Sequence, residues 1–152
     1  MDNKDKAILR ELQKDADITV GELADRIGLS KSACWRRIQN LEDAGIIGAK
    51  VTLLNQQALG LSLTVFTAIR TQEHSKEWFD QFHKVTTNMP NVMEVHRLAG
   101  DVDYLMRAVV PDMNSYDSMY RELIDKVKLF DVSSSFSMET IKYTTALPLD
   151  YL

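Results

Sequence analysis

The sequence predicts an α+β fold in two parts, and three observations carry it. The first fifty residues hold three short amphipathic helices, divided by capping residues and a glycine turn. A polar stretch, Asn55-Gln56-Gln57-Ala58-Leu59-Gly60, then interrupts the pattern. Beyond it the apolar period alternates between two and 3.6 in the order β-α-β-β-α-β. The expected division is residues 1–54, a hinge at 55–60, and residues 61–152.

The first helix is expected over about 4–14, where Ile8, Leu9 and Leu12 recur at helical spacing behind Asp2 and Asn3, either of which can cap. Asp15-Ala16-Asp17 breaks it. Thr19-x-x-Glu22 is a capping box that starts a second helix with Leu23, Ala24 and Ile27 on its buried face. Gly28 ends this helix in the left-handed conformation that glycine tolerates. Ser30 caps a third helix running to about Ala44, closed by Gly45. Helix, tight glycine turn and helix make a helix-turn-helix. Reading residues 46–53 as a hairpin adds the wing of a winged helix-turn-helix.

At 100° per residue, with Cys34 at the origin, Ile38 falls at about 40° and Leu41 at about 340°, so these three face the core. Ser32, Trp35, Arg36, Gln39 and Asn40 point outward, and Arg37 lies on the flank. Arginine and glutamine or asparagine can pair with guanine and adenine edges. The candidate DNA contacts are therefore Ser30, Lys31, Ser32, Trp35, Arg36, Arg37, Gln39 and Asn40, with Lys31 and Arg37 assigned to phosphates. Trp35 either joins the reading face or packs on the wing. Buried Cys34 reads as a small hydrophobe rather than a redox sensor.

Charge placement agrees with this. The net charge of −4 is unhelpful for DNA, but residues 1–50 balance at nine basic against nine acidic, and 31–40 hold three basic residues and no acid. A single cysteine allows no internal disulfide, no apolar run approaches bilayer length, and Met-Asp-Asn-Lys-Asp-Lys lacks the apolar core of a secretory signal. The expected setting is cytoplasmic, without a membrane partner.

In the second part, residues 61–69 alternate as a strand. Residues 75–89 form a helix with Trp78, Phe79, Phe82 and Val85 on one face, stopped by Pro90-Asn91. Residues 92–99 and 103–110 are strands joined by the tight Gly100-Asp101-Val102 turn. Pro111-Asp112 opens a helix carrying Tyr116, Met119, Tyr120, Leu123, Ile124 and Val127, and residues 132–144 are the last strand. The order is the ferredoxin-like plait. Two helices cover one sheet face and leave the other bare, so sheet-to-sheet dimerisation is expected to cover it.

The motifs Asp5-x-x-Ile8-Leu9-x-x-Leu12-Gln13-x-Asp15-Ala16, Glu22-Leu23-Ala24, Gly28-Leu29-Ser30, Arg37-Ile38-x-x-Leu41-Glu42-x-x-Gly45-Ile46-Ile47 and Gly100-Asp101-x-Asp103-Tyr104-Leu105 together resemble the Lrp/AsnC (feast/famine) transcription regulators. Within that family the nearest are leucine-responsive and cysteine-responsive members; Ser133-Ser134-Ser135-Phe136 through Lys142-Tyr143-Thr144-Thr145, with Cys34-Trp35, looks like the latter. Lys4 and Lys6 depart from the pattern, where hydrophobics are common. The resemblance implies double-stranded DNA and a small amino acid as partners, and self-assembly of dimers into larger rings, commonly octamers. It implies an effector near the Gly-Asp-x-Asp-Tyr turn, between dimers. The candidate effector contacts are Leu98, Gly100, Asp101, Asp103, Tyr104, Ser133, Ser134 and Ser135. Asp101 or Asp103 can take an α-ammonium and the serines can donate to a carboxylate, although turn and edge-strand preferences also account for both groups. Cysteine is the first expected effector, leucine or another apolar amino acid the second.

No cofactor or metal is expected: no phosphate-cradling glycine loop or nucleophile elbow occurs, and His74, His83 and His96 lack ligand spacing. Two other classes remain open. One is a DNA-organising protein of weak sequence preference. The other is a small ferredoxin-like isomerase using Asp101 and Asp103, which leaves residues 1–54 unexplained.

Overall fold

The computed structural model describes residues 1–152, with five α-helices and four β-strands. They form two compact units, Met1–Leu53 with Lys142–Leu152, and Leu54–Ile141.

In the first unit, α1 spans Asn3–Lys14, α2 Val20–Ile27 and α3 Lys31–Asp43. Local polar chemistry sets each start. Asp2 caps α1: its Oδ1 accepts from the Lys4 and Asp5 amides at 2.8 and 3.0 Å, while Asp5 Oδ2 accepts from the Asp2 amide at 2.8 Å. Thr19 and Glu22 form the same reciprocal box on α2. Gly28 ends α2 at φ +66°, where a side chain would be strained, and the Leu29 amide reaches back to the Ala24 carbonyl at 2.9 Å. Ser30 Oγ accepts from the Ala33 amide and starts α3. Ile8, Leu9, Leu23, Ala24, Cys34, Ile38 and Leu41 make the core.

Two expectations for this unit need correcting. Residues 46–53 are not a hairpin: no strand forms there. The amides of Gly45 and Ile46 close the end of α3 on the carbonyls of Glu42 and Leu41, and Ile47 packs on the core. Residues 48–53 pass to the second unit without pairing as strands, so no hairpin stands there for Trp35 to pack against. The second correction concerns Lys142–Leu152, expected with the sheet. It joins the first unit, the head, instead. Leu149 packs on the head core, Gln13 trades two hydrogen bonds with the Leu147 backbone at 2.6 and 3.2 Å, Arg10 pairs with Asp150, and Lys6 donates to the Leu152 carbonyl.

The second unit contains β1 Leu63–Arg70, α4 Lys76–Asn88, β2 Val92–Arg97, β3 Tyr104–Val110, α5 Met113–Lys126 and β4 Asp131–Phe136. The sheet is antiparallel in the order β2-β3-β1-β4. The last strand stops at Phe136, well short of the expected Thr144. Its partner β1 begins at Leu63, and the Ser137 amide takes the Thr64 carbonyl as the ladder runs out. Val65, Ile69, Met106, Ala108 and Val110 on the sheet bury themselves against Trp78, Phe82, Val85, Met119, Leu123 and Val127 of the two helices. Phe79 is not among them; it lies a quarter-turn off that face and is exposed. The opposite sheet face carries Phe66, Ala68, Leu105 and Arg107 with no layer over them, and Phe66 is 39% exposed.

The caps make the fold acid-sensitive. The Asp5 amide on Asp2, the Ser115 amide on Asp112 and the Thr19 hydroxyl on Glu22 hold these carboxyls below their ordinary values of 3.8, 3.8 and 4.5. Depressed folded-state values mean that the caps stabilise fully above the unfolded values and lose this contribution as pH falls through the folded ones. The melting temperature is therefore expected to hold from about pH 7 to 5 and to fall steadily below about pH 4. Calorimetry across that range measures it, and Asp2→Ala should flatten the fall.

Candidate nucleic-acid interface and effector turn

Helix α3 carries the candidate DNA contacts. Its cap, Ser30, uses its hydroxyl on the helix start and lies 3.3 Å from Ser32 Oγ. Lys31, Ser32, Trp35, Arg36 and Asn40 are exposed, with Trp35 at 56%. Gln39 is half-buried and donates its amide to Glu42 at 2.7 Å, leaving its carbonyl oxygen unengaged. Beneath this face Cys34 is fully buried, and burial pushes its thiol above the ordinary value, as a packed hydrophobe requires.

The arginines of this unit divide sharply. Arg10 pairs with Asp150, Arg26 with Glu11, and Arg37 with both Asp2 and Asp5, at 2.9 and 2.7 Å. Arg36 has no intramolecular ion pair or hydrogen bond. Arg37, expected at a phosphate, has its Nη1 engaged within the fold, because the flank it occupies faces the start of α1.

The effector candidates scatter more than their spacing suggested. Leu98, Gly100, Asp101 and Asp103 do converge on the β2–β3 turn. The Leu98 amide bonds the Asp103 carbonyl at 2.8 Å, and Gly100 sits at φ +145°, accessible to glycine. The Asp101 carboxylate is exposed and makes no internal bond, so it is free to accept an ammonium. Asp103 is half-buried, with Oδ2 accepting from the Thr71 amide at 2.8 Å, so one of its oxygens holds the turn to the end of β1. Tyr104 is a core residue in this chain, 6% exposed, with its ring 4.7 Å from Phe82 and 5.7 Å from Trp78.

Strand pleating splits the serines. Ser133 and Ser135 lie on the uncovered face, whereas Ser134 points under the helices, taking a 2.6 Å hydrogen bond from the Tyr116 hydroxyl and lying 3.1 Å from Thr67 Oγ1. Two residues that sequence reasoning missed also shape this end of the sheet. Arg70 donates from Nε to the Asp101 carbonyl at 2.7 Å and reaches Asp131 at 4.0 Å, while Thr71 anchors Asp103. A cation ending a strand beside an acidic turn was the available signal. Nearby on the uncovered face, the Arg107 guanidinium and then His96 hold the Glu94 carboxyl below its usual range. No three His, Cys, Asp or Glu side chains converge as a metal site.

Two family models match the chain, and the second runs into the segment that packs with the first unit. Residues 1–47 match a winged helix-turn-helix DNA-binding domain and residues 64–147 match the Lrp/AsnC ligand binding domain. A glutamate uptake regulatory protein of Zymomonas mobilis is 49% identical, over 98% of this chain and 91% of its own. The DNA-binding transcriptional activator DecR of Escherichia coli is 46% identical, over 99% of each. The crystal structure of an AsnC family transcriptional regulator from Agrobacterium tumefaciens superposes with a TM-score of 0.96 at 50% identity, covering 100% of this chain and 99% of that one. A Neisseria meningitidis transcriptional regulator in complex with L-Met gives 0.94 at 34% identity, covering 99% and 98%.

The split among the serines is measurable. Ser134→Ala removes the acceptor of a half-buried tyrosine hydroxyl and should cost about 1 kcal/mol in denaturant unfolding. Ser133→Ala and Ser135→Ala should stay within about 0.5 kcal/mol of the parent.

Proposed function

The chain belongs to the Lrp/AsnC family of DNA-binding transcription regulators with an amino-acid ligand-binding domain, and from that premise we propose which residues read DNA, which receive the effector, and how the two are joined. The head reads the major groove with the outward face of α3: Arg36, Gln39 and Asn40 on base edges, Ser30, Lys31 and Ser32 at the phosphates, and Trp35 on the adjoining backbone or base methyls. The observation that carries this reading is the unpaired Arg36. In a unit where every other arginine has a carboxylate partner, Arg36 alone keeps a free guanidinium, exposed on the outward side of α3.

The plait receives a small amino acid at the β2–β3 turn, its ammonium on Asp101 and its backbone groups against Gly100, with Leu98 and the exposed hydroxyls of Ser133 and Ser135 as further contacts. Cysteine remains the first choice. The methionine complex of the Neisseria relative supports an apolar or sulfur-bearing side chain as the class. Copies of the chain pair through the uncovered sheet face, where Phe66 and Leu105 gain cover, and pairs assemble further, up to octamers. Residues 55–60 serve as the hinge, and the effector acts by favouring one assembly, which changes how well paired helices match half-sites a helical turn apart. The protein works in the cytoplasm as a regulator and not as an enzyme; no helix is long and apolar enough to cross a membrane.

Two experiments test this. Arg36→Ala should weaken binding to a duplex selected by the parent from a random pool at least tenfold, with an unchanged melting temperature; Gln39→Ala should do so more weakly. Equal binding by both variants would remove the reading-face assignment, and steep salt dependence without sequence preference would favour the DNA-organising reading. A melting screen of all twenty amino acids, read beside light scattering, should show a rise and a change of assembly size with cysteine or an apolar amino acid. Asp101→Asn should abolish that rise.

A further inference from the structure

Each carboxylate of the α1 capping box uses one oxygen on the box and has one left. Asp2 engages Oδ1 with the Lys4 and Asp5 amides and turns Oδ2 outward; Asp5 engages Oδ2 with the Asp2 amide and turns Oδ1 outward. The two outward oxygens meet at one point, Arg37 Nη1, at 2.9 and 2.7 Å. Arg37 comes from α3, on the flank between its buried stripe and its exposed face. The Arg37–Asp5 contact is sheltered, with 32% of the Arg37 side chain and 15% of the Asp5 side chain exposed, while Asp2 is 55% exposed. Charge-assisted bonds in such a place hold geometry better than fully exposed pairs do.

We propose that Arg37 is a positioning residue for DNA recognition: the Asp2–Asp5–Arg37 clamp fixes the roll of α3 against the start of α1, and so aims Arg36 and Asn40, while Arg37 itself touches no phosphate. The proposal rests on α3 being the reading helix. The apolar seam of Cys34, Ile38 and Leu41 sets the depth and the approximate roll of α3 by packing, but it offers no directional bond to fix that roll closely. A guanidinium held by two carboxylates on one neighbouring helix end removes that freedom. The capping box is thereby doubled in purpose, starting one helix and orienting another.

The clamp and a direct phosphate contact predict opposite signs. Removing an acid near DNA strengthens binding by simple electrostatics; removing an acid that aims the reading helix weakens it. In the full chain, Asp5→Asn and Arg37→Gln are each expected to reduce affinity for the selected duplex about fivefold to tenfold, and the double variant to lose no more than either single one, as coupled partners do. Affinity for mixed-sequence DNA should change less than twofold, and the slope of log affinity against log salt should stay that of the parent. Arg37→Lys should restore part of the loss. Melting curves confirm that each variant is folded at the assay temperature. Asp2→Asn, which still caps a helix, gives the same reading in milder form if Arg37→Gln does not fold. The proposal is overturned if Asp5→Asn binds as well as the parent or better, or if Arg37→Gln lowers the salt slope by about 0.9, the signature of one lost phosphate contact. Failure of Arg36→Ala to weaken binding would instead remove the reading-face premise, so the two failures are told apart.

Discussion

A four-stranded sheet has two faces, and this chain supplies helices for only one of them. The rest of the structure depends on that shortfall. Tyr104, Met106, Ala108 and Val110 alternate inward from β3 to meet α4 and α5, and Trp78, Phe82 and Tyr104 stack into one aromatic cluster there. Phe66, Ala68, Leu105 and Arg107, on the opposite side of β1 and β3, have no layer over them. Burying one face gives the unit its stability; leaving the other bare makes a second copy a natural layer, as in any two-layer architecture. The proposed pairing through this face would bring two α3 helices into one assembly, which is what the proposed reading of paired half-sites needs.

The same division between what is fixed locally and what is fixed at a distance explains how much of the fold was legible. Helix starts depend on side chains within three residues of the backbone they cap. Asp2, Thr19 and Ser30 therefore announce α1, α2 and α3, and Ser75 and Asp112 do the same for α4 and α5. The buried stripe of Cys34, Ile38 and Leu41 follows from helical geometry alone. Strand faces also follow from a period of two. Strand length does not, because it depends on where the partner ends: β4 stops at Phe136, within two residues of the end of β1.

The candidate sites were legible to a similar depth. Composition located the outward face of α3 and the β2–β3 turn, but it could not say which charged groups were already engaged. Arg36 and Arg37 are neighbours of identical type, and only the position of α1 separates the free one from the bound one. Ser133, Ser134 and Ser135 are likewise alike in sequence, and pleating turns the middle one toward Tyr116. Asp101 and Asp103 differ in the same way, one free and one fastened to Thr71. In each case the deciding partner lies more than fifteen residues away.

The seating of Lys142–Leu152 on the head changes how separable the two halves are. The polypeptide passes between the units twice, once near Leu53 and again near Ile141, so the ligand-binding unit is spliced into the head as an insertion and not appended to it. A head cut at the hinge would lack Leu149 and the backbone that satisfies Gln13. Exchange of heads between regulators of this design therefore requires two grafts, one on each side of the inserted unit, and recombination at a single point would leave each hybrid with a tail fitted to another protein's first helix.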